Sequence, residues 1–362
     1  MAVSIKNRFF YLIRMIIVWT TAFLLFRFIR FYGLGEFGLI SRSSNEGLQL
    51  IQTFGLSIFL GGLTGLLYVL IEWALDRPFM RTQSYGLILI FKTALYFILI
   101  KLLMVLALII FNEQIHGWGD RSMVIHALKG QTFIAFMVYF LIVSAIITFI
   151  RQMDQKFGPG VLWNMLIGKY HKPREEERIF MFIDLKDSTK IAEMLGHLKF
   201  SRLIQDCFND LTDAVVKHRA EIYQYVGDEV ILCWKSDLGL KDNNCIDAFF
   251  SYQQTLDERA DYYLNKYGLL PFFKAGVHIG KATVTEVGAL KRDLAYHGDV
   301  VNTTARIQGE CNRLQQKILI SNRLYNRLTD ITGLNIIDLG MVQLKGKGSA
   351  VEIMGVQKEV LV

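Results

Sequence analysis

Residues 221–234 read EIYQYVGDEVILCW. Two apolar runs rich in β-branched and aromatic residues flank Gly227-Asp228-Glu229, the pattern of two antiparallel strands joined by a tight turn. Asp228 at such a bend has two readings: an ordinary turn residue, or an oxygen ligand held at a hairpin tip for a hard cation. Gln224 stands on the first strand just before the bend, and what it faces is the second question this stretch raises.

The neighbouring segments set the context. Residues 178–185, RIFMFIDL, form a short apolar run of strand formers, which predicts a fully buried strand ending at Asp184. Residues 187–218 carry apolar positions at helical spacing, with Asp187 or Ser188 as N-cap. Beyond the hairpin, a long helix is predicted around 243–267. Strands with a glycine turn are predicted over FFKAGVHIGKATVTEVGAL, a helix over DVVNTTARIQGECNRLQ, and a closing β-hairpin at about 335–356. The order βα(α)ββαββαβαββ describes an α+β domain over residues 178–362.

If the first strand lies beside the hairpin, Asp184 and Asp228 emerge at one sheet edge. Two hard oxygen ligands there could bind one or two Mg²⁺ or Mn²⁺ ions. Each aspartate alone reads equally as a solvated acid. The loop Leu185, Lys186, Asp187, Ser188, Thr189 enters a helix N-terminus, where free backbone N–H groups and the dipole favour phosphate. Asn302 and Arg306, at i, i+4, share one helix face. Arginine can stabilise charge that grows on a phosphate during displacement, and asparagine can fix a ribose oxygen; an exposed polar face is the plain reading. Lys274 lies on a strand. Lys345 and Lys347 flank Gly346 in a tight turn, cations of the kind a triphosphate needs.

The rest of the chain is of another character. Hydrophobic residues make up 52% of the 362 and mean hydropathy is +0.31, too apolar for a purely soluble protein. Four stretches, about 9–29, 50–71, 85–111 and 133–150, are each long enough to cross a bilayer, which predicts a four-helix transmembrane domain over residues 1–150. No small-residue cleavage site follows the first, so it reads as a span and not a removable signal. Small residues at helical intervals in GLSIFLGGLTGLLYVL suit close helix packing. Lys92 and Lys101, nine apart, fall on opposite helix faces. They read as snorkelling side chains or as partners for Glu72, and not as a polar lane, which counts against a transporter.

The net charge of +7 divides into +6 for residues 1–150 and +1 for the remainder. The basic excess thus lies beside membrane segments, where it helps set orientation, and the near-neutral second half argues against nucleic acid. Lys6 and Arg8, Arg77 and Arg81, and Arg151 and Lys156 place both termini and the α+β domain in the cytoplasm of a multi-pass plasma-membrane protein. Residues 151–177 read as a coupling linker, with Gly158-Pro159-Gly160 breaking the last span. Cys207, Cys233, Cys245 and Cys311 lack metal-finger spacing and read as reduced thiols packed in the core.

Taken together, FIDLKDST, YQYVGDE, KAGVHIG, HGDVVNTTARI and LKGKG, in this order, resemble the catalytic domain of class III adenylate and guanylate cyclases over about residues 176–356. The resemblance implies a ferredoxin-like α+β core working as a head-to-tail homodimer, with active sites at the interface. It implies metal binding at Asp184 and Asp228. Asn302 and Arg306 would reach the transition state from the partner subunit. Phosphate binding would fall to residues 185–189, Lys274 and Lys345, with Lys347 as the alternative. The substrate would be a nucleoside triphosphate, ATP or GTP, with two divalent ions.

Gln224 and Ala295 stand where the family reads the base. Adenylate cyclases usually carry Lys there with Asp or Thr, and guanylate cyclases Glu with Cys. An amide both donates and accepts hydrogen bonds, and alanine does neither, so this pair leaves the base open. The four-span architecture favours ATP. The expected activity is membrane-anchored adenylate cyclase in signal transduction; the alternative is an impaired cyclase-like receptor or scaffold that binds nucleotide without turnover.

Overall fold

A computed structural model describes residues 5–33, 46–75, 84–116, 122–157, 161–290, 292–329 and 331–358. The chain divides into two compact units between Phe157 and Gly158. The break expected at Gly158-Pro159-Gly160, and the loop residues Arg77 and Arg81, lie outside the described residues.

The first unit holds helices α1 (Ile5–Gly33), α2 (Glu46–Leu75), α3 (Tyr85–His116), α4 (Ser122–Lys129) and α5 (Gln131–Phe157). Four of them contain windows long and apolar enough to cross a membrane: Phe9–Arg30, Phe54–Leu75, Tyr85–Ile110 and Gln131–Asp154. Beyond the third window α3 runs on to His116, and the short α4 precedes the fourth. Trp19, Tyr68, Tyr96 and Phe140 are fully buried between the helices, while Phe9, Phe59, Ile90 and Leu102 face outward as lipid-facing residues do. The small residues act as the sequence suggests. A Cβ on Gly61 would lie 2.5 Å from Thr20 Cα, and one on Gly65 would lie 2.7 Å from Ile16 Cα, so α1 and α2 touch backbone to backbone. Lys92 finds Glu72 at 2.8 Å, and Arg151 finds the same carboxylate at 2.7 Å.

The second unit begins with α6 (Val161–Leu166) and β1 (Arg174–Leu185), so the first strand starts inside the segment expected to be linker. Next come α7 (Ser188–Leu195), α8 (His197–Lys217), β2 (Glu221–Val226), β3 (Glu229–Lys235), α9 (Ser236–Leu240), α10 (Asn244–Glu258), α11 (Ala260–Tyr267) and β4 (Phe273–Val287). The unit closes with β5 (Asp293–His297), α12 (Asp299–Gly309), β6 (Ile318–Ser321), α13 (Asn322–Tyr325), β7 (Leu334–Val342) and β8 (Val351–Lys358).

The sheet order is β2-β3-β1-β4-β6-β8-β7, with β5 also paired to β4. The first four positions, all antiparallel, are the ferredoxin-like arrangement. β1 is central because Ile179–Ile183 are buried on both faces. On one face Ile179, Met181 and Ile183 pack under α8 and α10, through Leu203, Leu211, Phe249 and Tyr252. On the other, Phe180 and Phe182 meet Ile231, Val284, Tyr296 and Val300. All four cysteines are buried and unpaired.

Two elements differ from expectation. The helix over 187–218 is broken at Gly196, which takes φ +71°, a value glycine adopts without Cβ strain. The expected glycine turn within β4 is absent, and the strand runs unbroken for 15 residues. Gly276 and Gly280 instead mark where α12 crosses. A Cβ at Gly276 would lie 2.3 Å from the Gln308 nitrogen, and one at Gly280 would lie 3.1 Å from Val300 Cβ.

Candidate active site

The expected hairpin is present. Gly227 and Asp228 form its two-residue turn, with Gly227 at φ +64°, as a turn with glycine in its first central position requires. β3 lies antiparallel against β1 with Asp184 opposite Glu229, and β4 places Lys274 opposite Asp184 on the other side. Strand alternation therefore sets Glu229, Asp184 and Lys274 in one row on one face, with Asp228 at the adjoining tip.

The electrostatics of this corner are lopsided. Asp184 Oδ2 meets Lys274 Nζ at 3.2 Å and accepts a hydrogen bond from Gln308 Nε2 at 3.1 Å. Burial nevertheless holds the Asp184 carboxyl above its ordinary pKa, and Asp228 adds to the rise while Lys274 opposes it. Glu229 is pushed up to about 7, first by burial and then by the charges of Asp184 and Asp228. Asp228 Oδ2 is buried without a hydrogen-bond partner. Three acids crowd against one lysine, and one buried carboxylate oxygen has nothing to bond. That donor set fits a hard divalent cation. Among the described residues no three acidic, histidine or cysteine side chains converge to hold a metal by themselves. A cation here would thus take one or two carboxylates and complete its shell with phosphate and water, the usual habit of Mg²⁺.

The phosphate loop follows directly. Leu185 ends β1 in the core, and the Lys186 amide is already committed to Phe272 O at 2.8 Å. Asp187 takes the left-handed φ of 57° and leaves α7 without a side-chain cap. The amides that open this helix at Ser188 and Thr189 are accordingly available to an anion.

A second group gathers on α12. Asn302 is exposed and Arg306 half-buried on one helix face. Arg306 forms no ion pair among the described residues and lies beside the turn at 344–347, its Nη2 being 3.5 Å from where a Gly346 Cβ would sit. That turn is closed by Lys347 N donating to Leu344 O at 3.1 Å, with Gly346 at φ +71°. Lys347 Nζ is committed to Asp299 at 2.9 Å, and this bond holds the Asp299 carboxyl below its usual range. Lys345 is exposed and forms no ion pair among the described residues. Of the two lysines, Lys345 is the one left for a ligand.

Gln224 owes its direction to a β-bulge. Ile222 pairs with Leu232 but Gln224 with Ile231, so Tyr223 is inserted between them. The extra residue puts Gln224 opposite Ile231, on the sheet face that also carries Tyr223 and Tyr296, whose ring centroids are 4.8 Å apart. On β5, Tyr296 occupies that face and Ala295, one residue earlier, alternates away from it. The structure thus does not set Gln224 and Ala295 on a common face.

Lys274, expected to meet phosphate, pairs with Asp184. Glu229 and Gln308 belong to the corner and were not among the sequence candidates. The alternation of β3 could have pointed to Glu229; nothing in the sequence marks Gln308.

The family model described as adenylate and guanylate cyclase catalytic domain matches residues 170–355, just over half the chain. Adenylate cyclase 2 of Rhizobium meliloti (strain 1021) is 34% identical over 218 residues, covering 60% of each chain. Adenylate cyclase 1 of the same organism is 27% identical over 184 residues, covering 49% of this chain and 27% of that one. The matches therefore span less than two thirds of these relatives. A solved bacterial light-regulated adenylyl cyclase superposes with a TM-score of 0.54 at 18% identity, over 64% of this chain and 67% of that one, a likeness of fold. With the matched segment containing the hairpin, the acidic corner and α12, the chain belongs to the class III adenylate and guanylate cyclase family.

Proposed function

We propose that the chain is a membrane-anchored nucleotide cyclase, converting ATP to the 3′,5′-cyclic nucleotide and pyrophosphate as a homodimer in intracellular signalling. The observation that carries this reading is the acidic corner: Asp184 and the unpartnered Asp228 Oδ2 at adjoining strand ends, beside the uncapped start of α7. Asp184 and Asp228 would hold two Mg²⁺ or Mn²⁺ ions. Bound there, such ions acidify the attacking ribose hydroxyl and neutralise the triphosphate.

The remaining work falls to the chain. The amides of Ser188 and Thr189 seat phosphate oxygens, and Lys345 approaches the triphosphate from the glycine turn. Lys274 restrains Asp184 in the resting protein and is close enough to that carboxylate to pass to a phosphate. Arg306 opposes the charge that builds on the α-phosphate as the 3′-oxygen attacks and pyrophosphate leaves. Asn302 orients the ribose, so that nucleophile and phosphorus, parts of one molecule, meet in line. Each protomer supplies the acids to one site and Asn302 with Arg306 to the other, giving two equivalent sites.

ATP is favoured over GTP because the two Rhizobium relatives are adenylate cyclases, and Gln224 would be the residue that meets the base. The Lys and Arg distribution around the four spans supports a plasma-membrane location with the catalytic unit in the cytoplasm. The residues between Phe157 and β1 then act as the coupling linker.

The test is a side-by-side assay of the full chain with Mn²⁺ and ATP or GTP, with Asp228→Ala as control. Cyclic AMP from the wild type, reduced at least about 100-fold in the variant, is expected for loss of one interaction made in the transition state. No cyclic product from either nucleotide would leave a nucleotide-binding receptor in its place.

A further inference from the structure

Helix α12 ends against the acidic corner, and the contact there is unusually constrained. Gln308 is 6% exposed, and its Nε2 donates to Asp184 Oδ2 at 3.1 Å, the oxygen that Lys274 also holds. Its backbone sits directly on β4, where a Gly276 Cβ would come within 2.3 Å of the Gln308 nitrogen and 2.6 Å of its Cα. Just past the helix, Cys311 Sγ donates to Ala275 O at 3.3 Å. The last turn of α12 is thereby pressed onto the strand that carries Lys274, with no room to approach it further. The same helix presents Asn302 and Arg306 on another face, with Arg306 beside the turn at Gly346.

From this arrangement, we propose that Gln308 is a positioning residue that ties Asp184 to α12, so that nucleotide uptake at one active site is felt by Asn302 and Arg306 acting at the other. The inference rests on the dimeric cyclase reading above. A cation that draws on Asp184 competes with the two donors now on Oδ2. When the Gln308 bond weakens, the helix end loses a fixed point, and the residues it displays towards the partner's substrate shift with it. Coupling free energies of this kind change affinity by about 5- to 150-fold.

The experiment uses the full chain in lipid nanodiscs, with Mn²⁺ and 3′-deoxy-ATP, which lacks the attacking hydroxyl and so binds without turnover. Calorimetry on the wild-type dimer is expected to give two binding steps whose affinities differ at least about five-fold. Gln308→Met, apolar and of similar length, is expected to merge them into one class of two equal sites. It should also strengthen direct Mn²⁺ binding by several-fold, read from the free-ion electron spin resonance signal, because one of the two donors competing for Asp184 Oδ2 is gone. Gln308→Asn, polar but too short to reach Asp184, gives the same result and takes over if the methionine variant melts early. Two equal steps in the wild type, or unequal steps that persist in a folded variant, overturn the coupling and leave the cyclase reading intact. A monomeric wild type, or one that binds no Mn²⁺–nucleotide, overturns both.

Discussion

His278 lies on β4 with its Nδ1 2.6 Å from Ser321 Oγ, and burial lowers its pKa to about 4, with Lys347 and then Arg323 pressing the same way and Asp299 opposing them. An imidazole of ordinary pKa near 6.5 takes up a proton in the unfolded chain long before the folded one does. As pH falls from about 6.5 towards 4 the His278 contribution to stability is therefore lost, about 3 kcal/mol in total, and above pH 7 it is flat. Glu229, held up to about 7, contributes the opposite slope, so urea unfolding of the catalytic unit at pH 7.5 and pH 5 reads the His278 part as the difference between the wild type and His278→Asn, the variant losing less stability on acidification. A variant with the wild-type pH dependence would assign the slope to other groups. Single residues were also where the sequence was least even as a guide. Asp184 and Asp228 could be picked out because a strand end and a Gly-Asp bend are visible as pattern. Glu229 needed the register of β1 on β3 before its row with Asp184 existed, and Gln308 needed the docking of α12 on Gly276. Both depend on contacts far apart in the chain, which no local periodicity encodes.

At the level of elements, the two glycines of β4 make a graded prediction. Gly276→Ala would drive a methyl into the backbone of Gln308, at 2.3 Å, and helix backbone cannot yield as a side chain can. Gly280→Ala meets only the Val300 side chain at 3.1 Å. The first should cost about 3 kcal/mol or more with loss of cyclase activity, and the second about 1 kcal/mol or less, overpacking being the shared mechanism. Thermal melts of the two variants rank them; equal melting points would mean α12 moves freely on the strand. In the membrane unit, Glu72 is 1% exposed and joins α2 to Lys92 of α3 and Arg151 of α5, with Tyr96 donating to it as well. Glu72→Gln leaves two cations sharing a neutral amide, and breaking such a buried set costs about 3–5 kcal/mol. The expected result is earlier unfolding in detergent, partly restored by Lys92→Met in the same chain. Element order and the α+β core were legible, since hydrophobic period reports strand and helix directly. A glycine's purpose was not: the same letter that turns a chain at Gly196 lets a helix cross a strand at Gly276.

For the whole molecule, the decisive feature is that one chain carries two unlike groups of candidate residues. Asp184, Asp228 and the opening of α7 form one corner, while Asn302 and Arg306 share another face of α12, with Arg306 beside the turn that carries Lys345 and Gly346. A monomer would have to bring both groups to one nucleotide; a head-to-tail pair need not, because each protomer lends one group to each site. The two architectures respond differently to paired damage. Asp228→Ala and Arg306→Ala should each abolish activity alone, since every site in either homodimer lacks one group. Coexpressed in equal amounts, they form mixed dimers in about half of all pairings, and each mixed dimer has one site with both defects and one with none. Activity should then return to about one quarter of the wild-type value per chain. Cyclic AMP formation measured on the single and coexpressed variants, with equal expression verified, checks this. A coexpressed pair as inactive as its parents would mean that each chain completes its own site. In that case the separation of the two groups within one protomer must be closed by movement of α12 rather than by a second copy.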